Sequence, residues 1–381
     1  VLVRYLKFIV LLALTSITAA PAVATATKSD SAPTVYFYAW GGSESVNSYL
    51  NWVSEEVAER YGIQLQHVKV ADISEAVTLL LSENNESDSK IDLLWINGEN
   101  FKALKAAEKL LSGLPEKVAN SRLLRNDLNW RDDFGEAVDG QELPWGIAQF
   151  QLVFRAHVLA QKAPPVALEP SELLQLAMRY PGRFSYPKPP AFHGTSWLKA
   201  LAYELVREPR ELQKPPGLAN SEQVLQPLWH YLDQLHPYLW RSGKEFPGSA
   251  AQQRQWFNHG TLDNAVTFNP NEVPALQQQL RMTPAARAAS LGSRALTNFH
   301  YLAIPRSSGQ QQAALKVLNF LLSEPAQLRK SALDGWGDPM VINAPQGAAK
   351  TDNGTLFPSH EEPHGDWTTV LEQQWLQRYQ Q

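Results

Sequence analysis

The clearest pattern lies between residues 35 and 111. Val35-Tyr36-Phe37-Tyr38-Ala39-Trp40 is an apolar, β-rich run closed by Gly41-Gly42, the form of a strand. From Glu44 to about Arg60, apolar residues recur at spacings of three and four, at Val46, Tyr49, Leu50, Val53 and Val57. That spacing predicts an amphipathic helix. Ser43 suits its N-cap and Gly62 its end. Gln64 to Val70 alternates as a second strand, and Asp72 to Glu75 fits a capping box for a helix through Leu81. Ile91 to Ile96 reads as a third strand. It stops at Asn97-Gly98, and a helix follows from about Asn100 to Leu111. Alternating strands and helices are the grammar of a parallel sheet, which holds ligands beyond the carboxyl ends of its strands. Trp40-Gly41-Gly42-Ser43 and Asn97-Gly98-Glu99-Asn100 fall there. The glycines fit tight turns equally well, and Glu99 or Asn100 fits a helix cap.

Farther along, Leu143 to Arg155 reads as a turn feeding one long strand. A proline-rich stretch covers 163–170, a helix 171–180, and a short β-like piece Arg183 to Tyr186. Pro187, Pro189 and Pro190 break the chain before His193-Gly194-Thr195-Ser196, with a helix expected from near Trp197. Helices fit 221–235 and 251–258, and Asp263 to Phe268 is a strand ending in Asn269-Pro270-Asn271-Glu272. Asn298 to Pro305 is β-like, a helix fits 311–322, and a loop over 353–366 precedes a last helix from about Thr368. The strand-rich stretches near 143–155 and 296–305 fit a chain that leaves one domain and later returns to it.

The first residues have a different character. Arg4 and Lys7 precede the unbroken apolar run Phe8 to Leu14, and small residues follow, with Ala22-Val23-Ala24 and Ala24-Thr25-Ala26 as cleavage sites. This is the order of a secretory signal, expected over 1–24. Its apolar run is far short of the roughly 20 residues that span a bilayer. The chain has no cysteine, so disulfides, thiolate metal sites and a lipidated N-terminus are excluded. A soluble periplasmic product is the expectation. The 34 Lys plus Arg stand against 38 Asp plus Glu, a net charge of −4 with no basic block, which speaks against a nucleic-acid partner.

Catalytic motifs are scarce. The chain has no Gly-x-Ser-x-Gly elbow, His-Glu-x-x-His or phosphate loop. His360 and His364 flank Glu361 and Glu362, but Pro363 spoils a regular ligand face, so no metal is expected. An exported hydrolase using Asp92, Glu99 and Glu272 as paired carboxylates is the alternative reading. Trp40, Trp145, Trp197, Phe268 and Phe299 lie at strand ends or glycine- and proline-rich turns, accompanied by Asn97, Asn100, Asn269, Asn271 and Asn298. Flat rings supply contact area and amides fix orientation, which suits a small polar solute. Glu99, Asp263 and Glu272 favour an amine-bearing or cationic one, whereas Arg155, Arg294 and Arg306 are placed to accept an anion. Each ring taken singly also fits a core.

Five segments carry a family resemblance: Phe37 to Gly42, Asp92 to Phe101, Pro144-Trp145-Gly146, Phe268-Asn269-Pro270 and Trp336-Gly337-Asp338-Pro339. In these the chain resembles bacterial periplasmic solute-binding proteins of ABC importers, and within them a poorly characterised Gram-negative subgroup. The resemblance implies an α/β fold of the type II periplasmic-binding-protein kind, with two lobes of mixed, mostly parallel sheets joined by crossing strands. It implies lobe 1 from 33–143 plus 305–381, and lobe 2 from 144–304 including the crossing strands. It also implies a monomer that closes around solute and delivers it to a membrane permease, without cofactor or covalent chemistry. The residues expected to line the cleft are Trp40, Gly41, Gly42, Ser43, Asn97, Glu99, Asn100, Trp145, Trp197, Phe268, Asn269, Glu272 and Asn298. Iron-binding members use adjacent tyrosines, and this chain has no Tyr-Tyr pair.

Overall fold

The three-and-four spacing after Ser43 becomes α1 (Glu44–Tyr61), which buries Val46, Tyr49, Leu50, Val53 and Val57. The Ser43 hydroxyl accepts the N–H of Val46, and Gly62 ends the helix in the left-handed conformation. The computed structural model describes residues 32–70, 72–83, 89–96, 98–159, 166–217, 220–344 and 356–380. The expected leader and Asn97 lie outside the described residues.

In chain order the strands are β1 (Thr34–Trp40), β2 (Gln64–Val70), β3 (Leu93–Ile96), the hairpin β4 (Asp132–Asp133) and β5 (Glu136–Ala137), β6 (Leu143–Gln149), β7 (Gln151–Arg155), β8 (Val166–Leu168), β9 (Asn264–Thr267), β10 (Ala286–Leu291), β11 (Ala295–Ala303) and β12 (Ser359–His360). The helices after α1 are α2 (Ser74–Ser82), α3 (Gly98–Ala106), α4 (Leu114–Lys117), α5 (Pro170–Arg179), α6 (Phe192–Leu205), α7 (Ser221–Leu235), α8 (Ala250–Asn258), α9 (Glu272–Gln278), α10 (Gln311–Leu321), α11 (Glu324–Ser331) and α12 (Trp367–Tyr379).

Two sheets organise these elements. The first runs β12-β11-β3-β1-β2, with β6 also paired to β11. β1 is parallel to both β2 and β3, while β11 runs antiparallel to β3 and β6. The second runs β8-β10-β7-β9, with β7 antiparallel to both its neighbours and β8 parallel to β10. Both sheets are therefore mixed, and the second is less parallel than expected. Each sheet is covered by apolar side chains on both faces. Phe37, Leu50, Trp145, Tyr301 and Leu318 pack on one face of the first, and Leu80, Leu94 and Phe101 on the other. Leu152, Phe154 and Trp229 pack on one face of the second, and Val153, Phe257 and Met282 on the other.

The apolar stretch 143–155 is two strands, not one. β6 belongs to the first sheet and β7 to the second, and the chain passes between them at Phe150. It returns through β10 and β11. Polar side chains bind this crossing together. The Gln149 amide donates to Thr297 Oγ1 at 3.0 Å and to the Phe357 carbonyl at 3.0 Å, and its oxygen accepts the Phe357 N–H at 2.9 Å.

Within 144–304, the crossing strands β6 and the body of β11 hydrogen-bond in the first sheet. In the other direction, Trp367, Leu371 and Trp375 of α12 fill the second lobe's core beside Trp197 and Trp229, although 305–381 was expected in lobe 1. The pattern of a helix face reports that it is buried, not which core receives it. The segment from Leu356 to Asp366 is thus a third connection between the lobes.

Candidate ligand-binding cleft

Parallel pairing of Tyr38 with Leu94 sets the ends of β1 and β3 side by side. At the end of β1, Trp40 is 44 % exposed, the most open of the expected aromatic contacts. Its indole folds back over Gly42, where a Cβ would lie 2.5 Å from Cζ2, so only glycine lets the ring take this position. Ser43 and Glu44 follow at the start of α1. Glu44 pairs with Arg281 of the second lobe at 3.6 Å, bringing this corner of lobe 1 against lobe 2.

After β3, α3 begins at Gly98, whose N–H is accepted by Asp133 Oδ2 at 2.5 Å. Glu99 is exposed and Asn100 half-buried. Glu372 of α12 lies near enough to feel the Glu99 charge. Burial pushes the Glu372 carboxyl up, the Glu99 charge adds to the rise, and the Thr195 hydroxyl donated at 2.6 Å offsets part of it. Behind them is a buried polar knot. Glu362 accepts from Lys199 Nζ at 3.1 Å and from the Asn298 amide at 3.0 Å, and Lys199 lies 4.9 Å over the Phe134 ring.

The second lobe presents the first turn of α6 and the loop after β9. Helix α6 starts at Phe192, five residues before Trp197, so His193 sits in its first turn rather than in a loop. Phe192 is 49 % exposed. Its ring lies 4.9 Å from Phe268, and the His193 imidazole lies 5.4 Å from Phe268. Burial, with a smaller contribution from the Arg254 charge, pulls His193 down to about 4, so it is neutral near pH 7. Arg254 itself pairs with Glu272 at 2.5 Å.

The expected residues thus separate into three groups. Trp40, Gly41, Gly42 and Ser43 lie together where β1 gives way to α1, and Phe268, Asn269 and Glu272 lie in the second lobe between β9 and α9. Glu99, Asn100 and Asn298 lie at the α3–α12 side, but the Asn298 amide is committed to Glu362. Trp145 and Trp197 line no gap. Trp145 is fully buried, 6.0 Å from Phe37 and 5.2 Å from both Trp95 and Trp336, in the core of lobe 1. Trp197 is stacked on Tyr186 at 5.0 Å in the core of lobe 2. All seven residues of β6 are buried, so alternation along it carries no signal for where Trp145 points.

Phe192, Arg254 and Arg281 carry no site signal in the sequence, and His193 reads there as a loop histidine. The prolines at 187, 189 and 190 did mark an approaching helix start, and placing it directly after them would have found Phe192 and His193.

The carboxylates of the hydrolase alternative are not one set. Asp92 precedes β3 and Glu99 follows it, with the strand between them. Asp92 accepts the Tyr36 N–H at 2.9 Å and the Ser308 hydroxyl at 2.6 Å, a structural role. Glu272 is neutralised by Arg254. Among the described residues no group of three or more His, Asp or Glu is placed to hold a metal ion.

Two mixed α/β lobes, crossed by β6–β7 and β10–β11 and opening on strand ends, define the type II periplasmic-binding-protein class. Residues 52–358 match the family model described as bacterial extracellular solute-binding protein, and the chain belongs to that family. It is 41 % identical over 358 residues to Protein YnjB of Escherichia coli strain K12, covering 91 % of each chain. Among solved structures it is similar to the apo ferric ion-binding protein A of Pasteurella haemolytica, at 16 % identity and TM-score 0.64, covering 92 % of this chain and 98 % of that one. It is also similar to the spermidine/putrescine ABC transporter substrate-binding protein PotD of Streptococcus pneumoniae, at 14 % identity and TM-score 0.63, covering 91 % and 98 %. The protein is therefore a periplasmic solute binder that serves an ABC permease, a role of capture and delivery rather than catalysis.

Proposed function

We propose that the protein carries a small polar solute bearing an amine or other cationic group, held between the lip at Trp40 and the α6–β9 face of the second lobe, and that it works as a monomer. The observation that carries this reading is the half-buried Glu372 carboxyl, which burial pushes up and the Glu99 charge raises further, while the Thr195 hydroxyl and the Lys199 charge offset only part of the rise. An ammonium group placed there relieves both carboxylates. Three further features agree. The exposed Trp40 indole offers a face that favours cations. His193 is neutral and so adds no opposing charge. Arg254 and Arg281 are each paired with a glutamate, so neither is a free anion receptor. The spermidine/putrescine protein of the same fold is consistent with such a cargo, while the ferric ion-binding one shows that the fold alone does not set it.

The test is thermal shift and calorimetry with putrescine, spermidine, thiamine, glucose, sulfate and fructose 6-phosphate as separate probes. A saturable rise in melting temperature with an amine-bearing probe is expected, weakened in Glu99→Gln. Saturable binding of sulfate or a sugar phosphate, with no response to any amine, overturns the charge assignment.

A further inference from the structure

The loop Phe268-Asn269-Pro270-Asn271 of the second lobe meets the segment Trp336-Gly337-Asp338 of the first. The Asn269 amide donates to the Trp336 carbonyl at 3.3 Å, and the Asn271 amide donates to the Gly337 carbonyl at 2.6 Å. Two side-chain amides of one lobe thereby engage two consecutive carbonyls of the other. Asn271 is completely buried. The asparagines also brace each other, because Asn269 Oδ1 accepts the Asn271 N–H at 2.9 Å.

Gly337 makes the approach possible. Its φ is +82°, and a Cβ there would stand 3.3 Å from Asn271 Cβ and 3.5 Å from Asn269 Nδ2. The receiving segment is rigidly seated. Trp336 packs 5.2 Å from Trp95 and 5.2 Å from Trp145, and it is stacked on His300 at 5.3 Å. Asp338, the next residue but one, pairs with Lys330 and with His300 Nε2 at 3.2 Å. On the other side, Phe268 is fixed to the crossing point, where its carbonyl accepts the Gln149 N–H at 2.8 Å.

We propose that Asn269 and Asn271 form an interlobe clasp that holds the lobes together at the floor of the cleft and sets the balance between closed and open forms, rather than contacting solute. The Asn269 side chain, expected from the sequence as a ligand contact, has its amide donor and its carbonyl oxygen both engaged within the protein. The clasp acts at the hinge side and Glu44–Arg281 at the mouth. Breaking the clasp releases the lobes without touching either core. Loss of one buried amide bond shifts such a two-state balance by roughly tenfold.

Because the chain has no cysteine, two can be introduced for spin labels without background. Glu55→Cys on α1 and Gln223→Cys on α7 are exposed positions in different lobes. Interlobe distance distributions are measured by double electron–electron resonance in the full mature chain, with no solute added, so the outcome is independent of the cargo assigned above. The parent is expected to show a shorter mean distance than either variant. Asn269→Ala and Asn271→Ser are expected to add or enlarge a longer population, with far-ultraviolet circular dichroism unchanged. Asn269→Ala removes only a half-buried amide and remains informative if Asn271→Ser fails to fold. A distribution in folded Asn269→Ala identical to the parent, or a parent already as open as the variant, overturns the clasp.

Discussion

Glu142 offers the sharpest test of how lobe 1 is held together. It lies just before β6, is fully buried, and neither carboxyl oxygen has a hydrogen-bond partner. Burial pushes its carboxyl well above the ordinary range, the nearby Asp133 charge adds to this, and Lys105 offsets only part. Lys105 is already engaged by Glu136 and Asp139, each at 2.8 Å. Glu142→Met keeps the length of the side chain and removes both orphaned oxygens. An unsatisfied buried polar group costs about 1–3 kcal/mol. With an unfolding entropy of about 2.1 cal/mol/K per residue, a chain of this size gains roughly 1.4 °C per kcal/mol, so the variant should melt about 1–4 °C higher. The pH dependence has a definite sign. A carboxyl whose pKa is raised on folding keeps a proton that the unfolded chain releases. Stability from this group is greatest below the unfolded value near 4.3 and declines as pH rises, by up to about 1.4 kcal/mol per unit, until the folded group also ionises. The advantage of Glu142→Met over the parent should therefore grow from pH 4 toward pH 8. Asp133 shifts in the same direction, so the quantity to follow is the difference between the two proteins rather than either curve alone. Urea denaturation across that range measures it. A variant less stable than the parent at pH 8, or a difference that does not change with pH, would show that the carboxyl is compensated and refute the reasoning.

Two other pairs of substitutions separate the core from the cleft and test the buried polar knot. Trp145→Ala should lower stability by about 3–5 kcal/mol, read by urea denaturation, whereas Trp40→Ala should leave stability within about 0.5 kcal/mol and instead weaken binding of a responding probe by ~2 kcal/mol, read by calorimetry. Lys199→Met should cost about 3–5 kcal/mol by stranding the Glu362 carboxylate, and adding Glu362→Met should recover most of that loss in the same denaturation assay.

Much of lobe 1 was legible because its elements announce themselves locally. The buried positions of α1 are those its spacing selects, and β1 and β3 are bounded by glycine turns. The second lobe was less legible. β10, Ala286–Leu291, is two-thirds alanine and serine with an arginine near its start, so neither alternation nor bulk marks it as a strand. The piece at Arg183 to Tyr186 has strand composition but forms no strand. Arg183 instead meets Asp263 through two hydrogen bonds, at 2.9 and 2.8 Å. The division of 143–155 between two sheets depends on which distant strands offer hydrogen bonds, and no turn residue marks Phe150 as the point of change. The site shows the same limit. A tryptophan beside a glycine turn is an equal candidate for surface or core, and partners far along the chain made Trp40 one and Trp145 the other.

The path of the last described segment has a consequence for biogenesis. Trp367, Leu371 and Trp375 complete an apolar core whose other members are spread from Phe150 to Leu296. During secretion the first lobe's early strands and helices emerge ready to pair, but that second core stays unsealed until α12 arrives. An interval with uncovered tryptophans and leucines is when a chaperone or a protease has its best opportunity. Damage to the final helix should therefore register as poor yield in the periplasm before it registers as impaired transport.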